Sequence, residues 1–522
     1  MNREKMLAKL IDRDEPFELA VVGGGATGAA IAMDAASRGL TVALLEKNDF
    51  GKGTSSRSTK LIHGGVRYLE QGNLVLVRDA LRERSLLLKN ANHLVHDLEF
   101  ILPCRGRWES FYFGMGLWLY DLLARSSDFG RARRLSKSDV AHRLPTLNPA
   151  AFYSGWLYHD GQFDDARLVI NFVQTAVQLG AVVANYATVT GLTKDSHGKL
   201  SGVQFQDAES GISHVVPART VINAAGPFGD SVRRLDRPND RPMLAASQGI
   251  HLVLPPRFLP GSTALIVPRT RDGRVMFLIP WHGQTLVGTT DTPIDSATEE
   301  PSALPAEIEF LLNTAAEYLA EKPEMADVHS VFVGVRPLVL GKSGSQAKTS
   351  AISRDHVVHV AKSNLITIAG GKWTTVRKMA EDAVDRAITV GRLARRPCVT
   401  KDLAIHGSGS MRSRRAELQC YGSDGIKIDE IIDRETQLGS PMHPDLSINR
   451  AQVLWAVHHE MARTVEDVLA RRTRCLFLNA RATQAIAPQV TELIASELGR
   501  DANWQHNQCQ QFRITSQNYV LE

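Results

Sequence analysis

The apolar and polar positions over residues 17–46 predict a strand, a helix and a second strand. Residues 17–22 are mainly apolar and end in two valines, which predicts a buried strand, and residues 41–45 predict another. Between them, residues 29–38 carry small helix-forming side chains that allow close packing on a sheet, and Gly39 ends the helix. This order predicts the start of a parallel α/β sheet.

The turn between the first strand and the helix has the spacing of a dinucleotide-binding motif. Gly23, Gly25 and Gly28 form G-x-G-x-x-G, and Glu46 follows the second strand. The glycines permit, in order, a tight turn, a close approach of the backbone to a pyrophosphate, and a close helix–strand contact. The helix N-terminus offers N–H groups to phosphates, and Glu46 can accept hydrogen bonds from a ribose. We predict a dinucleotide site; a glycine turn without a ligand is the alternative.

The remaining pattern predicts further helices and many short strands. Apolar residues recur at helical spacing over residues 74–88, 111–123, 164–179, 304–320 and 454–469. Short apolar runs predict strands over 181–184, 188–192, 220–226, 250–254, 264–267, 275–279, 285–288, 331–335 and 365–369, and a hairpin over 203–205 and 214–216. Residues 245–335 thus predict an antiparallel sheet with a helix, and residues 407–410 predict a linker.

Residues 111–123 form the most apolar stretch between positions 71 and 160. The stretch is shorter than the roughly 18 residues of a membrane span. A helix here can be buried or can lie at an interface; we interpret it as buried, because amphipathic helices usually cover a core. Arg131, Arg133 and Arg134 follow it and predict a solvated face.

Composition narrows the class of protein. The 522 residues predict two or three domains, and 43% hydrophobic with 22% charged residues is typical of a soluble chain. The net charge of +5 is too small to indicate a nucleic-acid-binding surface. Residues 1–15 lack an apolar signal core, so secretion is not expected. The five cysteines form no C-x-x-C pair, and the sequence 458–460 lacks the H-E-x-x-H spacing, so we predict neither disulfides nor a metal site.

A loop rich in glycine, serine and threonine follows Glu46. Over residues 47–70 it offers hydroxyl and N–H groups to a phosphate or a flavin ring. Within this loop, Thr54-Ser55-Ser56 and the stretch 60–70, which reads KLIHGGVRYLE, resemble the FAD-dependent, quinone-reducing glycerol-3-phosphate dehydrogenases. Six later stretches repeat the resemblance in the family's order: residues 164–168, 223–227, 288–291, 334–338, 353–355 and 370–375.

The resemblance implies an α/β fold with three domains. A Rossmann-like FAD-binding domain, of the type found in glutathione reductase and D-amino-acid oxidase, is expected from residues 1–70, 160–240 and 336–395. An antiparallel β-sheet substrate (cap) domain is expected from 71–159 and 241–335, and a C-terminal helical domain from 396–522. The family usually has leucine where this chain has Trp373.

The resemblance also implies the site residues. His251, Arg336 and Lys372 are the expected catalytic residues, with His251 as the base because a histidine titrates near neutral pH. From its position alone, His251 would be a core histidine, and Arg354-Asp355 could be a surface ion pair. The substrate would be bound by Arg67, Tyr68, His251, Arg336, Arg354 and Lys372, since cations suit a phosphate. The cofactor would be bound by Gly23, Gly25, Ala26, Thr27, Gly28, Glu46, Thr54, Ser55, Ser56, Thr59, Lys60, Leu61, His63, Val189, Ala225, Gly226, Asp291, Gly371, Lys372 and Thr374.

The implied function is the oxidation of sn-glycerol 3-phosphate to dihydroxyacetone phosphate by hydride transfer to FAD. Electrons would pass to membrane quinone from a cytoplasmic protein attached peripherally to the inner face of the cell membrane, with a homodimer as a possible assembly and no nucleic-acid partner. The chain has neither a second G-x-G-x-x-G nor a C-x-x-C, which disfavours NAD(P)H-dependent and disulfide-reducing flavoenzymes. Two alternatives stay open: an oxidase that reduces oxygen to hydrogen peroxide, and a non-catalytic flavin-binding module.

Overall fold

The computed structural model describes residues 1–65, 74–124, 128–340 and 356–521. The helices within these residues are α1 (Arg3–Ile11), α2 (Ala26–Ser37), α3 (Leu74–Asn90), α4 (Arg107–Ala124), α5 (Lys137–Arg143), α6 (Asp165–Gln178), α7 (Gly229–Asp236), α8 (Pro305–Tyr318), α9 (Val376–Gly391), α10 (Asp424–Arg434), α11 (Arg450–His459), α12 (Cys475–Leu478), α13 (Ala480–Leu498) and α14 (Ala502–Gln517).

The strands within the same residues are β1 (Leu19–Val22), β2 (Val42–Leu45), β3 (Leu61–Ile62), β4 (Val95–Cys104), β5 (Arg133–Leu135), β6 (Ser154–Phe163), β7 (Val182–Ala184), β8 (Ala187–Lys194), β9 (Leu200–Asp207), β10 (Ser213–Pro217), β11 (Val221–Asn223), β12 (Leu244–Leu254), β13 (Ala264–Val267), β14 (Met276–Trp281), β15 (Gln284–Gly288), β16 (Thr292–Ile294), β17 (Ser330–Val339), β18 (His356–Val360), β19 (Ile366–Gly370), β20 (Pro441–His443) and β21 (Leu446–Asn449).

A six-stranded sheet in the order β18-β19-β11-β1-β2-β7 forms the first layer. All neighbouring pairs from β19 to β7 are parallel, and β18 adds an antiparallel edge. β1 and β2 are buried throughout, and α2, α6 and α9 pack with them into one apolar core. Apolar strands without alternation are what a parallel sheet covered on both faces requires. The predicted α/β fold is confirmed.

A larger sheet in the order β16-β12-β15-β14-β13-β4-β6-β3 forms the second layer, and β17 pairs with β12. The pairing of β12 with β15 and β17 places His251 opposite Gly288 and Phe332, and Ser247 opposite Arg336. Helices α5 and α8 supply residues to the apolar core on one side of this sheet, while helices α11 to α13 supply residues to the other. The predicted antiparallel sheet and its helix over residues 245–335 are confirmed.

Buried ion pairs join the C-terminal helices to the first layer. Asp49, which follows β2, is fully buried and pairs with Arg471 at 2.5 Å and with Arg472 at 2.7 Å. Arg167 of α6 pairs with Glu460 at 2.6 Å, and both side chains are buried. Removing one partner of such a pair would leave an uncompensated buried charge, which typically costs about 3–5 kcal/mol. The helical region is therefore fixed to the domain that carries the glycine turn.

Two predictions about helices are wrong. The predicted helix over 454–469 ends at His459, and a separate π-helical turn follows at Asp467–Arg472. Residues 111–123 are helical within α4, but the helix is buried on one face only: Phe111 is 59% exposed and Trp118 is 68% exposed. Helical periodicity reports an apolar stripe, and it does not tell whether a protein core covers that stripe.

Three further observations concern helix length, the cysteines and clusters of metal-ligating side chains. None of the helices in the described ranges is long and apolar enough to cross a membrane. All five cysteines are free thiols. Within the parts of the chain that the structure covers, no group of three or more histidine, cysteine, aspartate or glutamate side chains could hold a metal ion.

Candidate active site

One cavity of about 610 Å³ lies between the two glycine turns and the second sheet. This volume is within the range of roughly 300–1,000 Å³ that is typical of cofactor and small-molecule sites. The predicted site residues that line it are Gly23, Gly25, Ala26, Thr27, Glu46, Thr54, Ser55, Thr59, Leu61, His63, Val189, Ala225, Gly226, His251, Arg336, Gly371, Lys372 and Thr374.

Seven predicted site residues remain, four of them within the described residues and three outside them. Gly28, Ser56, Lys60 and Asp291 are described but are not among the lining residues, and their predicted roles in cofactor binding stay predictions. Arg67, Tyr68 and Arg354 lie outside the described residues, so their predicted roles in substrate binding also stay predictions.

The first glycine turn has the geometry that a pyrophosphate needs. Gly23 has a φ of +106°, and a Cβ there would lie 2.7 Å from the oxygen of Ala224. A Cβ on Gly28 would lie 1.8 Å from the oxygen of Gly23, so only glycine allows α2 to start this close to β1. Gly25 is the N-cap of α2, and Ala26 and Thr27 of the first helical turn line the cavity, which brings the positive end of the helix to it. The turn therefore fits a dinucleotide cofactor.

Glu46 is held beside this turn by backbone N–H groups. Its carboxylate accepts a hydrogen bond from the N–H of Gly24 at 2.5 Å and from the N–H of Asn48 at 2.9 Å. Burial raises the pKa of Glu46, and the two N–H groups oppose that shift. Since each carboxylate oxygen has further lone pairs, Glu46 can still accept bonds from a ribose.

The second turn, at Gly370 and Gly371, brings a cation to the other end of the cavity. Both glycines have positive φ angles, of 75° and 82°, which side-chain-bearing residues rarely adopt. Lys372 follows, and Thr374 donates a hydrogen bond from its hydroxyl to the oxygen of His63 at 3.1 Å. The start of α9 lies directly behind, so its partial positive charge adds to that of Lys372. This end of the cavity therefore favours negative charge.

Trp373 fills the position where the resembling family usually has leucine. Its indole N–H donates to the oxygen of Ser55 at 3.0 Å, and its ring meets Phe163 edge-on at 5.0 Å. The hydroxyl of Ser55 in turn accepts the N–H of Ala26 at 2.9 Å. The departure from leucine is thus accommodated by an added hydrogen bond between the two turns.

Lys60 stabilises the loop that carries it through buried hydrogen bonds. Its ammonium donates to the carboxylate of Asp165 at 2.8 Å and to the oxygen of Ser56 at 2.7 Å, and all of these groups are buried. Lys60 also has a φ of +64°. The neighbouring Thr59, by contrast, lines the cavity. No local signal in the sequence places Asp165 against Lys60, so sequence reasoning missed this pair.

His251 lies in the cavity wall, opposite the loop. Its ring stacks on Phe332 with centroids 4.9 Å apart, and its Nε2 lies 2.9 Å from the hydroxyl oxygen of Thr59. Its Nδ1 is buried and has no hydrogen-bond partner within the described part of the chain. Burial, together with the charges of Lys60 and Arg336, lowers the pKa of His251 well below its ordinary value. The ring is therefore neutral at neutral pH and able to accept a proton.

Arg336 also lines the cavity, and it is fixed by protein oxygens. It donates to the carboxylate of Asp291 at 3.2 Å and to the oxygen of Thr290 at 2.9 Å. Asp291 also accepts a hydrogen bond from the hydroxyl of Ser247. With 29% of its side chain exposed, Arg336 keeps a face toward the cavity. Asp291 thus orients Arg336, a contact that sequence reasoning did not anticipate.

Comparison with known proteins agrees with this geometry. Residues 18–377 match the FAD dependent oxidoreductase family, and residues 365–505 match the C-terminal domain of alpha-glycerophosphate oxidase. The class is therefore an FAD-dependent oxidoreductase, and FAD is the cofactor. Within that class, the chain belongs to the family of FAD-dependent glycerol-3-phosphate dehydrogenases.

The relatives that show membership of this dehydrogenase family align over nearly the whole chain. The mitochondrial glycerol-3-phosphate dehydrogenase SDP6 of Arabidopsis thaliana is 39% identical, over 95% of this chain and 85% of its own length. The mitochondrial glycerol-3-phosphate dehydrogenase of Homo sapiens is 38% identical, over 99% of this chain and 75% of its own length.

Solved structures agree at the level of the fold. The glycerol-3-phosphate dehydrogenase of Bacillus halodurans, complexed with FAD, matches with a TM-score of 0.81 and 28% identity, over 99% of this chain and 97% of that chain. An L-alpha-glycerophosphate oxidase of Mycoplasma pneumoniae, with FAD bound, matches with a TM-score of 0.56 and 18% identity, over 72% of this chain and 95% of that chain. The second likeness concerns the fold alone.

Proposed function

We propose that this enzyme oxidises sn-glycerol 3-phosphate to dihydroxyacetone phosphate and passes the electrons to membrane quinone. The observation that carries the proposal is the neutral, buried His251 in the wall of a cavity that also presents Arg336 and Lys372. A base beside cations suits a substrate that has both a secondary hydroxyl and a phosphate. The names of the relatives support the same substrate.

The chemistry divides between the cofactor and the chain. FAD, when bound, accepts a hydride. His251 takes the hydroxyl proton, since a secondary alcohol must lose that proton as its carbon loses the hydride. Lys372 and Arg336 pair with negative charge on the substrate, and Asp291 keeps the Arg336 fork in place. Arg67, Tyr68 and Arg354 are proposed to complete the substrate site.

The proposal includes peripheral attachment to the inner face of the cell membrane through α4. One face of this helix exposes six large apolar side chains at spacings of three and four residues: Trp108, Phe111, Tyr112, Met115, Trp118 and Leu122. The opposite face is buried and includes Leu117 and Tyr120. Aromatic side chains of this kind are typical of helices that lie in the membrane interface.

The charges around α4 favour a bilayer as its partner. Arg105 and Arg107 lie at its N-terminal end, and Arg131, Arg133 and Arg134 follow it in sequence; all five are exposed. Arginines at the rim of an apolar stripe attract the anionic headgroups of lipids. Such attachment would place the enzyme beside a quinone dissolved in the bilayer. The proposal also keeps the cytoplasmic location, which the unpaired cysteines favour, and a possible homodimer.

Anaerobic flavin bleaching is the experiment that tests the proposal. Glycerol 3-phosphate should bleach the flavin absorbance of the purified enzyme, and a quinone analogue should restore it. Glycerol at the same concentration is the control. If glycerol 3-phosphate leaves the flavin oxidised, the dehydrogenase proposal is wrong and the non-catalytic flavin-binding module is favoured.

Oxygen is the alternative acceptor, because the C-terminal region matches a domain described from an oxidase. Reoxidation of the bleached enzyme by air, in the presence and absence of the quinone analogue, separates the two acceptors. Faster recovery with air than with the quinone analogue, together with one hydrogen peroxide per substrate, would identify an oxidase.

A further inference from the structure

The position of Thr59 relative to His251 has a consequence for proton transfer. His251 has two ring nitrogens, and only one of them has a described partner. Among the residues that the structure describes, Nδ1 is buried and has no hydrogen-bond partner, and Nε2 lies 2.9 Å from the hydroxyl oxygen of Thr59. Both side chains belong to residues that line the cavity. A proton can therefore travel between the cavity and this ring only at Nε2.

The hydroxyl of Thr59 occupies the approach to that nitrogen. A substrate hydroxyl must displace Thr59 to reach Nε2, or it must pass its proton through the hydroxyl of Thr59. Displacement is resisted because the adjoining Lys60 is tied to Asp165 at 2.8 Å and to Ser56 at 2.7 Å. Ser58, on the other side, donates from its hydroxyl to Asp165 at 2.7 Å. Thr59 is thus held between two anchored neighbours.

The ring of His251 is also held. Phe332 stacks against it with an interplanar angle of 16°, and a Cβ added to Gly288 would lie 2.1 Å from its Cδ2 atom. Rotation of the ring away from Thr59 would require one of these surfaces to move. The hydroxyl and the ring therefore form a fixed pair.

We propose that Thr59 relays the substrate's hydroxyl proton to Nε2 of His251. The inference rests on the proposed function and adds a residue to it. As the O–H bond of the substrate hydroxyl breaks, its proton moves to the Thr59 oxygen, and the proton already on that oxygen moves to Nε2. The substrate carbon gives its hydride to the oxidised flavin and becomes a ketone. Thr59 ends the step as a neutral hydroxyl, and His251 ends it protonated.

The test compares Thr59→Val, which keeps the shape but removes the hydroxyl, with Thr59→Ser, which keeps the hydroxyl. General acid–base groups contribute about 10²–10⁴-fold to rates, so Thr59→Val should slow anaerobic flavin reduction by at least about tenfold. Thr59→Ser should recover most of the rate, and each variant is compared at full FAD occupancy because Thr59 is also a predicted cofactor-binding residue. Thr389→Val, at an exposed position of α9, controls for the loss of a threonine hydroxyl.

A solvent isotope experiment separates a relay from simple positioning. In mixtures of light and heavy water, the wild-type rate of flavin reduction should vary with the deuterium fraction along a curve, because two protons move together. Thr59→Val should give a straight line, because only one proton then moves. A straight line for the wild type, or a Thr59→Val enzyme that reduces its flavin at the wild-type rate, would overturn the relay.

A third measurement does not depend on the substrate. In ¹⁵N-histidine-labelled holoenzyme, the Nε2 resonance of His251, assigned by its loss in His251→Asn, should shift in Thr59→Val but not in Thr389→Val. An unchanged resonance would show that the contact is absent from the holoenzyme and would overturn the relay. If the contact is present but glycerol 3-phosphate does not bleach the wild type, the proposed function fails instead.

Discussion

The indole N–H of Trp373 donates to the main-chain oxygen of Ser55, and this bond links the two turns that enclose the cofactor cavity. Ser55 contacts the first turn through the N–H of Ala26, whereas Trp373 belongs to the second turn. The two turns belong to β1 and β19, which are separated in the sheet by β11. Trp373 therefore adds a direct link between the two turns that line the cofactor cavity.

This link predicts the effect of replacing Trp373. Trp373→Phe keeps an aromatic ring but removes the N–H, and a hydrogen bond contributes a net of about 0.5–1.5 kcal/mol. The dissociation constant of FAD should therefore rise between about twofold and tenfold, as measured by titration of the apoprotein. Trp455→Phe is the matched control, because Trp455 is buried and its indole nitrogen has no partner within the described residues. Equal FAD affinity in wild type and Trp373→Phe would contradict the link.

The lowered pKa of His251 predicts an unusual pH profile. A histidine whose folded pKa lies below 6.5 stays neutral as the pH falls through that value, and it keeps its ability to accept a proton. The charged groups that face it, Lys60 and Arg336, act in the same direction. At saturating substrate, the rate of flavin reduction should therefore have its acid limb well below pH 6.5.

The matched variant for this profile is His251→Asn. It should slow flavin reduction strongly, remove the acid limb and change FAD binding far less. A wild-type limb at the ordinary histidine value, or a variant with wild-type activity across neutral pH, would argue against His251 as the base.

Arg336 predicts discrimination between a phosphorylated and an uncharged substrate. Losing two charge-assisted hydrogen bonds, each worth about 1.5–3 kcal/mol, should lower kcat/KM for glycerol 3-phosphate by on the order of a hundredfold or more in Arg336→Ala. The carboxylate of Asp291 would also lose its contact with a cation and would repel the phosphate. Glycerol, already a far poorer substrate, should be affected less. Arg336→Lys should recover only part of the loss, because lysine lacks the planar fork.

The control for Arg336 is Arg257→Ala, at an exposed arginine that pairs with Glu321 at 3.1 Å. The measurement is kcat/KM for both substrates in all four enzymes. Unchanged values in Arg336→Ala, or wild-type enzyme that oxidises glycerol as readily as its phosphate, would end the anion-pocket interpretation.

The exposed face of α4 predicts a membrane-binding phenotype. Trp118→Glu should weaken binding to vesicles that contain anionic lipid by at least about tenfold, since burying one large aromatic side chain contributes about 1.5–3 kcal/mol. High salt should weaken binding of the wild type as well, because arginines supply part of the attraction. Co-sedimentation with vesicles measures both effects.

Met411→Glu is the control for α4, at an apolar side chain of similar exposure outside this helix. It should bind vesicles as the wild type does. If both variants bound equally well, another surface would have to hold the membrane.

The first strand, the glycine turn, the following helix and the second strand could be predicted from the sequence because their signals are local. The helix predicted over 29–38 is α2 at Ala26–Ser37, and the strands predicted over 17–22 and 41–45 are β1 and β2. Local spacing could not place Lys60 against Asp165, or Thr59 against His251, because these contacts join segments about a hundred or more residues apart. The resemblance pointed to His251 and Arg336, yet not to the partners that fix them.

Two other outcomes depended on tertiary context. The exposure of α4 could not be predicted, since the same apolar stripe would suit a core or a membrane surface. The break after His459 occurs where Glu460 turns inward to pair with Arg167, and a buried ion pair has no periodic signal in the sequence.

The order of strands in the parallel sheet has a consequence for biosynthesis. β1 lies between β2 and β11, and the second glycine turn follows β19, so the cofactor pocket needs segments made early and late in translation. Ribosomes add about 5–20 residues per second, so Gly371 is synthesised on the order of tens of seconds after Gly28. Until β11 is synthesised, one edge of β1 has no partner and can pair with a neighbouring nascent chain. FAD can therefore bind to the complete pocket only after α9 has been synthesised. In cells starved of riboflavin, we expect full-length protein without FAD to accumulate, and not incomplete chains.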